Sequence, residues 1–135
     1  MVSTTKQHRT ALSRARGLGS AHHGVGGFIA ERTTAIMLLP LCLWAVWAAL
    51  KIAPGGYDGA AAFLTSPVNA VLAILLVVVA ARHTQLGMRV IIEDYIDRTA
   101  TRVSLLLLNT AVAWVAAALA VFSILRVALP GLTGH

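Results

Sequence analysis

The residues of this chain best suited to chemistry lie in ARHTQLGMRVIIEDYIDR, residues 81–98, at the end of an apolar run. His83 is followed one helical turn later by Gly87, and then by the adjacent pair Asp94 and Tyr95. An imidazole can bind a metal through one nitrogen, a phenol hydroxyl can donate a hydrogen bond, and a carboxylate can accept one. The stretch could therefore bind a cofactor and a polar ligand, provided that one continuous element carries it.

Composition predicts that this element is a membrane-spanning helix. The chain has 135 residues, of which 58% are hydrophobic and 12% are charged, and a soluble domain of this size could not cover so much apolar surface. A helix needs about 20 apolar residues to cross a hydrocarbon core of roughly 30 Å. Three such runs occur, at 33–52, 67–92 and 104–129. They predict an all-α membrane protein with three transmembrane helices in an antiparallel bundle.

Positive charge orients the predicted bundle. The net charge is +6, but in a membrane protein the positions of the basic residues matter more than their sum, and we predict no nucleic-acid partner. Most of them precede the first helix or flank the connection between the second and third: Lys6, Arg9, Arg14, Arg16, Arg32, Arg89, Arg98 and Arg102. Lys51 and Arg126 lie near the opposite ends. The N-terminus is therefore predicted to be cytoplasmic and the C-terminus outside.

The same rule assigns the segments between the helices. Residues 1–32 are predicted to form a basic cytoplasmic arm, 53–66 an external loop, 93–103 a cytoplasmic loop and 130–135 an external tail. The glycines of AHHGVGGF in the arm predict a bend before the first helix. A phosphate-binding loop is not indicated, because no strand or following lysine accompanies them.

Cys42, in the first predicted helix, is the only cysteine of the chain. An intrachain disulfide is therefore impossible, and this chain alone cannot ligate an iron–sulfur cluster. We interpret Cys42 as a small buried residue.

His83 is predicted to lie within the membrane, about one turn from the cytoplasmic interface. Ionisable residues at such depth are costly and usually face a bundle interior or a functional site. The missing side chain of Gly87 leaves room beside the imidazole for something flat and bulky, which suits an axial ligand of a b-type haem. From spacing alone, a histidine that hydrogen-bonds a neighbouring helix or extends to the membrane surface is the favoured alternative.

A six-coordinate haem would need a second axial ligand. The remaining histidines, His8, His22, His23 and His135, all lie outside the predicted spans. The second ligand is therefore expected on another chain.

The stretch HTQLGMRVIIEDY resembles the motif of the hydrophobic membrane anchor of succinate dehydrogenase, the smaller cytochrome b subunit of succinate:quinone oxidoreductase. The resemblance consists of a histidine, a glycine four residues later, and an Asp-Tyr pair eleven and twelve residues after the histidine. GFIAERTTAIMLL, where the first helix begins, is similar to the Arg-x-Thr-Ala motif of that family and places Arg32 at its arginine. The likeness covers about residues 24–129.

The resemblance implies roles for four residues. His83 matches the axial haem ligand, with the other ligand from the large cytochrome b subunit, and Arg32 matches an arginine near the haem propionates. Tyr95 matches the tyrosine that hydrogen-bonds a quinone carbonyl, and Asp94 matches the acid beside it. Some members of the wider family lack haem or carry two. Without the resemblance, an interfacial tyrosine that anchors a helix end is the favoured interpretation of Tyr95.

Two arginines of the second helix lie on a different face from His83. Arg82 is expected to extend toward lipid phosphates or to meet an acidic group of a partner. Arg89 and Glu93 are four residues apart and are predicted to pair on the exposed end of the helix.

The resemblance implies a non-catalytic anchor subunit of an enzyme complex, succinate dehydrogenase or respiratory complex II, as a multi-pass protein of the inner (cytoplasmic) membrane. Its implied partners are the large cytochrome b membrane subunit, the iron–sulfur subunit, the flavoprotein subunit and membrane lipid. Its implied cofactor is a haem b shared with the partner subunit, and its implied substrate is ubiquinone or another quinone. One alternative is an anchor of fumarate reductase. Another is a cofactor-free small transporter or accessory membrane protein, which would leave His83 and the Asp-Tyr pair without a shared purpose.

Overall fold

A computed structural model of the chain describes residues 22–129, with side chains from residue 25 onward. The described part is helical: α1 (His22–Ile52), a 3₁₀ turn (Ala53–Gly55), α2 (Gly56–Leu64), α3 (Pro67–Tyr95) and α4 (Thr99–Ala128). Most of the predicted arm and the predicted tail lie outside the described residues, and so do the side chains of Lys6, His8, Arg9, Arg14, Arg16, His22, His23 and His135.

Three helical segments are long and apolar enough to cross a membrane by length and composition. They are Val25–Leu64, Pro67–Tyr95 and Thr99–Ala128. The described residues therefore fit the predicted all-helical, three-span architecture. At about 1.5 Å per residue, a helix of 29 residues such as α3 is roughly 43 Å long. It is thus longer than a hydrocarbon core of about 30 Å and can project beyond it.

Helix α1 begins well before the first predicted span. Its backbone is helical from His22, so the prediction of a bend in the glycine-rich stretch is wrong. This part of α1 lies along the last turns of α3, where Gly27 and Glu31 line one wall of a groove and Leu86 and Glu93 line the other. Helices in proteins are stabilised mainly by tertiary packing, which can offset the cost of about 1 kcal/mol for a helical glycine relative to alanine.

The two predicted loops are also largely helical. The predicted loop 53–66 contains the 3₁₀ turn and α2, and the predicted loop 93–103 has only residues 96–98 outside helices. Pro67 occupies the first turn of α3, as predicted, because a proline lacks the N–H that is left without a partner there.

Glycine permits the turn between α1 and α2. Gly56 has φ +54°, a left-handed conformation that side chains disfavour. At Gly59 an added Cβ would lie 3.2 Å from the carbonyl oxygen of Ile52, closer than ordinary packing. After this turn α2 packs back on α1, with the ring of Phe63 centred 6.1 Å from Trp44 and 6.0 Å from Trp47.

Helix α3 lies between the other two long helices. His83 contacts Thr34 of α1, whereas Gln85 contacts Thr110 of α4. Residues two positions apart on a helix point about 200° apart, so one helix can contact neighbours on opposite sides. Within residues 22–129, α1 and α4 do not pack directly against each other. The three helices therefore form a row with α3 in the middle.

This arrangement leaves little interior. The buried side chains of the described part are all apolar, namely Leu41, Ala48, Ala70, Val79, Leu86, Ile92 and Ala117. Large apolar side chains on the outside are not covered by any of the described residues, and Leu43, for example, is 74% exposed. Cys42 is exposed as well, so its interpretation as a buried residue is wrong. Such a surface requires lipid or another membrane subunit around it.

Polar side chains join α3 to α4 at the level of Gln85. Its amide nitrogen Nε2 donates to the hydroxyl of Thr110 at 3.0 Å. Asn109 donates from Nδ2 to the backbone carbonyl of Gln85 at 2.9 Å. Arg82 donates to the side-chain oxygen Oε1 of Gln85 within α3. These contacts satisfy polar groups that would be costly to expose to hydrocarbon.

We expect Asn109→Ala to lower the free energy of unfolding by about 0.6 kcal/mol, because interhelical hydrogen bonds in membranes are worth this much on average. The measurement is SDS-induced unfolding of the full chain in bicelles. Ser123→Ala is the matched control, since the Ser123 hydroxyl is exposed and bonds only its own helix, at the carbonyl of Leu119 (2.8 Å). Equal changes in the two variants would contradict an interhelical role for Asn109.

Candidate functional site

His83 on α3 meets Thr34 on α1. The hydroxyl oxygen of Thr34 lies 3.0 Å from Nδ1 of His83, and the contact is partly buried. Through Nδ1, His83 therefore makes the contact with a neighbouring helix that was expected if it bound no haem. Within the described residues, Nε2 of the same ring makes no hydrogen bond. This nitrogen is available for a ligand from outside the described part of the chain.

Open space lies one turn beyond His83. A Cβ added to Gly87 would meet no heavy atom within 4 Å, apart from its chain neighbours and the backbone of its own helix. The described residues therefore do not fill the space that we expected a flat group to occupy beside the imidazole. A free ring nitrogen and an unfilled neighbouring space suit one half of a haem site.

Metal binding by several side chains of this chain has no support in the described part. Among the described side chains, those of residues 25–129, no group of three or more His, Cys, Asp or Glu could hold a metal ion. A porphyrin supplies four of the ligands to its iron, and the protein then supplies only axial ligands. The described residues therefore fit a haem better than a bare metal ion.

Arg32 lies close to this site in sequence but points elsewhere. It precedes Thr34 by two residues and therefore projects about 200° around α1 from it. Its guanidinium carbon lies 5.1 Å from the ring centroid of Phe28, and its side chain is exposed. No hydrogen bond joins Arg32 to His83 in the described residues. The exposed guanidinium can meet an anionic group from outside the chain.

Asp94 and Tyr95 end α3. The helix continues without interruption from His83 to Tyr95, and twelve residues correspond to about 18 Å along the axis. Both side chains are exposed, Tyr95 at 80%. The structure thus carries the histidine and the Asp-Tyr pair on one rigid element but does not bring them into contact.

An open groove runs beside this end of α3. It has a volume of about 230 Å³ and lies between the start of α1 and the last turns of α3. Arg89 and Glu93 line its α3 side, and Nε of Arg89 lies 2.7 Å from Oε1 of Glu93. The predicted pair is therefore confirmed. Because both side chains are partly exposed, the pair is worth only a few tenths of a kcal/mol.

Comparison with known proteins identifies the family. Residues 6–125 match the family described as succinate dehydrogenase/fumarate reductase transmembrane subunit. The chain belongs to this family. The match includes every residue of the candidate site, and the resemblance to the succinate dehydrogenase membrane anchor is confirmed.

Named members of the succinate dehydrogenase/fumarate reductase transmembrane subunit family are similar over most of their length. The chain is 31% identical to the succinate dehydrogenase hydrophobic membrane anchor subunit of Rickettsia bellii over 76% of this chain and 82% of the relative. It is 31% identical to the corresponding protein of Rickettsia conorii over 74% of this chain and 80% of the relative. No solved structure matches the chain. Family membership and three apolar helices make it a multi-pass membrane protein.

The sequence motifs did not reveal that Thr34 belongs to the candidate site. Thr34 is the threonine of the Arg-x-Thr-Ala motif of this family, and only the structure brings its hydroxyl to His83. The two residues are 49 positions apart, so no local periodicity relates them. The presence of both motifs in one sequence was the available signal, since residues of two motifs often meet at one site.

Proposed function

We propose that this chain is a membrane anchor subunit of succinate dehydrogenase in the inner (cytoplasmic) membrane. Its family and the names of its relatives support this assignment. In the proposal the chain docks the flavoprotein and iron–sulfur subunits at the membrane, packs against the large cytochrome b subunit and performs no oxidation of succinate itself. The uncovered apolar surface of the row of helices supports a partner subunit in the membrane.

His83 carries the cofactor part of the proposal. Its Nε2 would be the axial ligand that this chain contributes to a haem b shared with the large cytochrome b subunit. The observation in favour is that His83 uses Nδ1 for its contact with α1 while Gly87 leaves the adjacent space open. When bound, a haem supplies a one-electron redox centre. Arg32 projects away from Thr34 and over Phe28, so its exposed side chain would have to change rotamer to offer its guanidinium to haem propionates.

Tyr95 and Asp94 carry the substrate part. The exposed phenol of Tyr95 can donate a hydrogen bond to a quinone oxygen. The neighbouring carboxylate can accept and release protons directly or through water, as reduction of a quinone to a quinol consumes two protons. Their place at the end of α3, about 18 Å beyond His83, suits a quinone head group that meets an electron donor at the membrane surface.

The distribution of charge supports the proposed orientation. Because Thr34 contacts His83, the start of α1 and the end of α3 lie at the same end of the row. Four arginines therefore gather near that end, Arg32, Arg89, Arg98 and Arg102, as expected of a cytoplasmic side. We propose antiparallel helices with the N-terminus in the cytoplasm.

Purification of the complex from membranes tests the function directly. We expect the flavoprotein, iron–sulfur and large cytochrome b subunits to co-purify with this chain, and a reduced-minus-oxidised spectrum to show b-type haem bands. A cofactor-free transporter or accessory protein would show neither. Comparison of succinate:quinone with quinol:fumarate activity separates succinate dehydrogenase from fumarate reductase, which the family description also includes.

A further inference from the structure

The hydroxyl of Thr34 has three hydrogen-bonding neighbours. Its oxygen lies 2.9 Å from the carbonyl oxygen of Ala30, 2.9 Å from that of Glu31 and 3.0 Å from Nδ1 of His83. A hydroxyl has one proton to donate and two lone pairs that accept. Carbonyl oxygens only accept, so a hydroxyl proton donated to either of them points toward its own helix rather than toward His83. The lone pairs of Thr34 are then left to face His83.

This arrangement selects one tautomer of the neutral imidazole. With the hydroxyl proton directed to its own helix, Nδ1 carries the hydrogen of the 3.0 Å contact and donates it to Thr34. Nε2 then keeps its lone pair, and the geometry of a five-membered ring directs that lone pair away from Thr34. A histidine whose two nitrogens lack such partners would populate both tautomers.

The arrangement has the form of a ligand and its orienting partner. Histidines that bind metals commonly donate their other N–H to a fixed acceptor, which sets the tautomer, orients the ring and raises the basicity of the ligating nitrogen. Thr34 is well suited to be fixed, because its bond to the preceding turn holds its own rotamer. Both residues belong to regular helices, α1 and α3.

We propose that Thr34 is a positioning residue that holds His83 as the Nδ1–H tautomer and thereby presents the Nε2 lone pair to the haem iron. The tautomer is inferred from the contacts of Thr34 and His83 within this chain, whereas its use in haem ligation rests on the proposed function. A purely local role is the alternative: threonines in apolar helices satisfy their hydroxyls by bonding the preceding turn. That role would leave the chemistry of His83 independent of Thr34.

The tautomer can be measured without haem. In the full chain, labelled with ¹⁵N-histidine and placed in lipid nanodiscs, we expect the ¹⁵N shifts of His83 to report a protonated Nδ1 and an unprotonated Nε2. Thr34→Val preserves shape but removes the acceptor, so we expect a mixture of tautomers. Thr34→Ser restores the hydroxyl and should restore the parent spectrum. Thr33→Val is the matched control, since Thr33 is exposed beside Thr34.

The assembled complex tests the consequence for ligation. Loss of the hydrogen bond makes Nε2 a weaker electron-pair donor to the iron. Ferric iron is then less favoured relative to ferrous iron, so Thr34→Val should raise the haem midpoint potential. Each tenfold change in that preference corresponds to about 59 mV. Haem affinity should fall about 10- to 100-fold, the usual effect of removing a partner of a metal ligand. Thr34→Ser should match the parent.

The outcomes separate the two levels of the proposal. Identical ¹⁵N spectra for the parent and Thr34→Val, or a parent ring protonated at Nε2, would overturn the tautomer assignment. A Thr34→Val complex with unchanged haem content and potential would overturn the positioning role. Absence of b-type haem from the parent complex would overturn the haem part of the proposed function and with it the ligation role, while the nanodisc spectra would still decide the tautomer.

Discussion

A complex that carries His83→Ala is expected to lose its low-spin b-type haem. Alanine removes the ligand that this chain is proposed to supply, and no other histidine lies within the predicted spans. Loss of even an orienting partner weakens metal sites about 10- to 100-fold, so loss of the ligand itself should lower haem affinity by at least that factor. The measurement is the reduced-minus-oxidised spectrum of the purified complex, normalised to its flavin.

His22→Ala and His23→Ala are the controls for this experiment, because both residues precede the first predicted span. Each should retain the parent spectrum. Co-purification of the other subunits with His83→Ala would show that the loss is one of ligation rather than of assembly. A normal low-spin spectrum in His83→Ala would remove the ligand assignment, and a six-coordinate haem in this chain purified alone would contradict a shared site.

Tyr95→Phe is expected to impair quinone reduction selectively. The substitution keeps the ring but removes one hydrogen-bond donor, worth about 1 kcal/mol, which corresponds to roughly a fivefold loss of succinate:quinone activity at limiting quinone. The loss grows if the quinone oxygen is left desolvated. Succinate oxidation with an artificial acceptor that takes electrons before the quinone site should stay near the parent value, because that chemistry belongs to other subunits.

The chain offers a closely matched control for Tyr95. Tyr57 in α2 is 79% exposed, compared with 80% for Tyr95, but lies at the start of α2, far from the end of α3 in sequence. Tyr57→Phe should leave both assays unchanged. Parallel loss of both activities in Tyr95→Phe would indicate a structural role at the helix end instead. Equal quinone reductase activity in Tyr95→Phe and the parent would exclude the proposed hydrogen bond.

The sequence by itself determined which segments of this chain are helical and apolar enough for the membrane. Within hydrocarbon every backbone polar group must be satisfied inside the segment, so a run of apolar residues has little choice but to form a helix. The repeat of the α-helix predicted that Gly87 lies one turn after His83 and that Tyr95 lies about 18 Å along the same helix. The uninterrupted helix α3 confirms that one helix carries all three residues. The pair of Arg89 and Glu93 was also predictable, because residues four apart on a helix are neighbours.

Helix ends and loops were less accessible to sequence reasoning. The glycines before Phe28 predicted a bend, yet α1 is helical from His22. Local propensity differs by only about 1 kcal/mol for a glycine, and packing of the start of α1 beside α3 can outweigh it. Likewise Cys42 is exposed because, among the described helices, α1 packs against a single long neighbour, and apolar composition does not reveal this arrangement.

Only the tertiary structure decided which side chains meet. Helix α1 is apolar around most of its circumference, so its sequence does not specify which face turns toward α3. The rotation that places Thr34 against His83, across 49 positions of sequence, emerges from the packing of the two helices. The opposite face of α3 places Gln85 against Asn109 and Thr110 of α4 for the same reason. Hydropathy sets the helices in the membrane, whereas complementary packing of particular side chains sets their rotation and therefore the site.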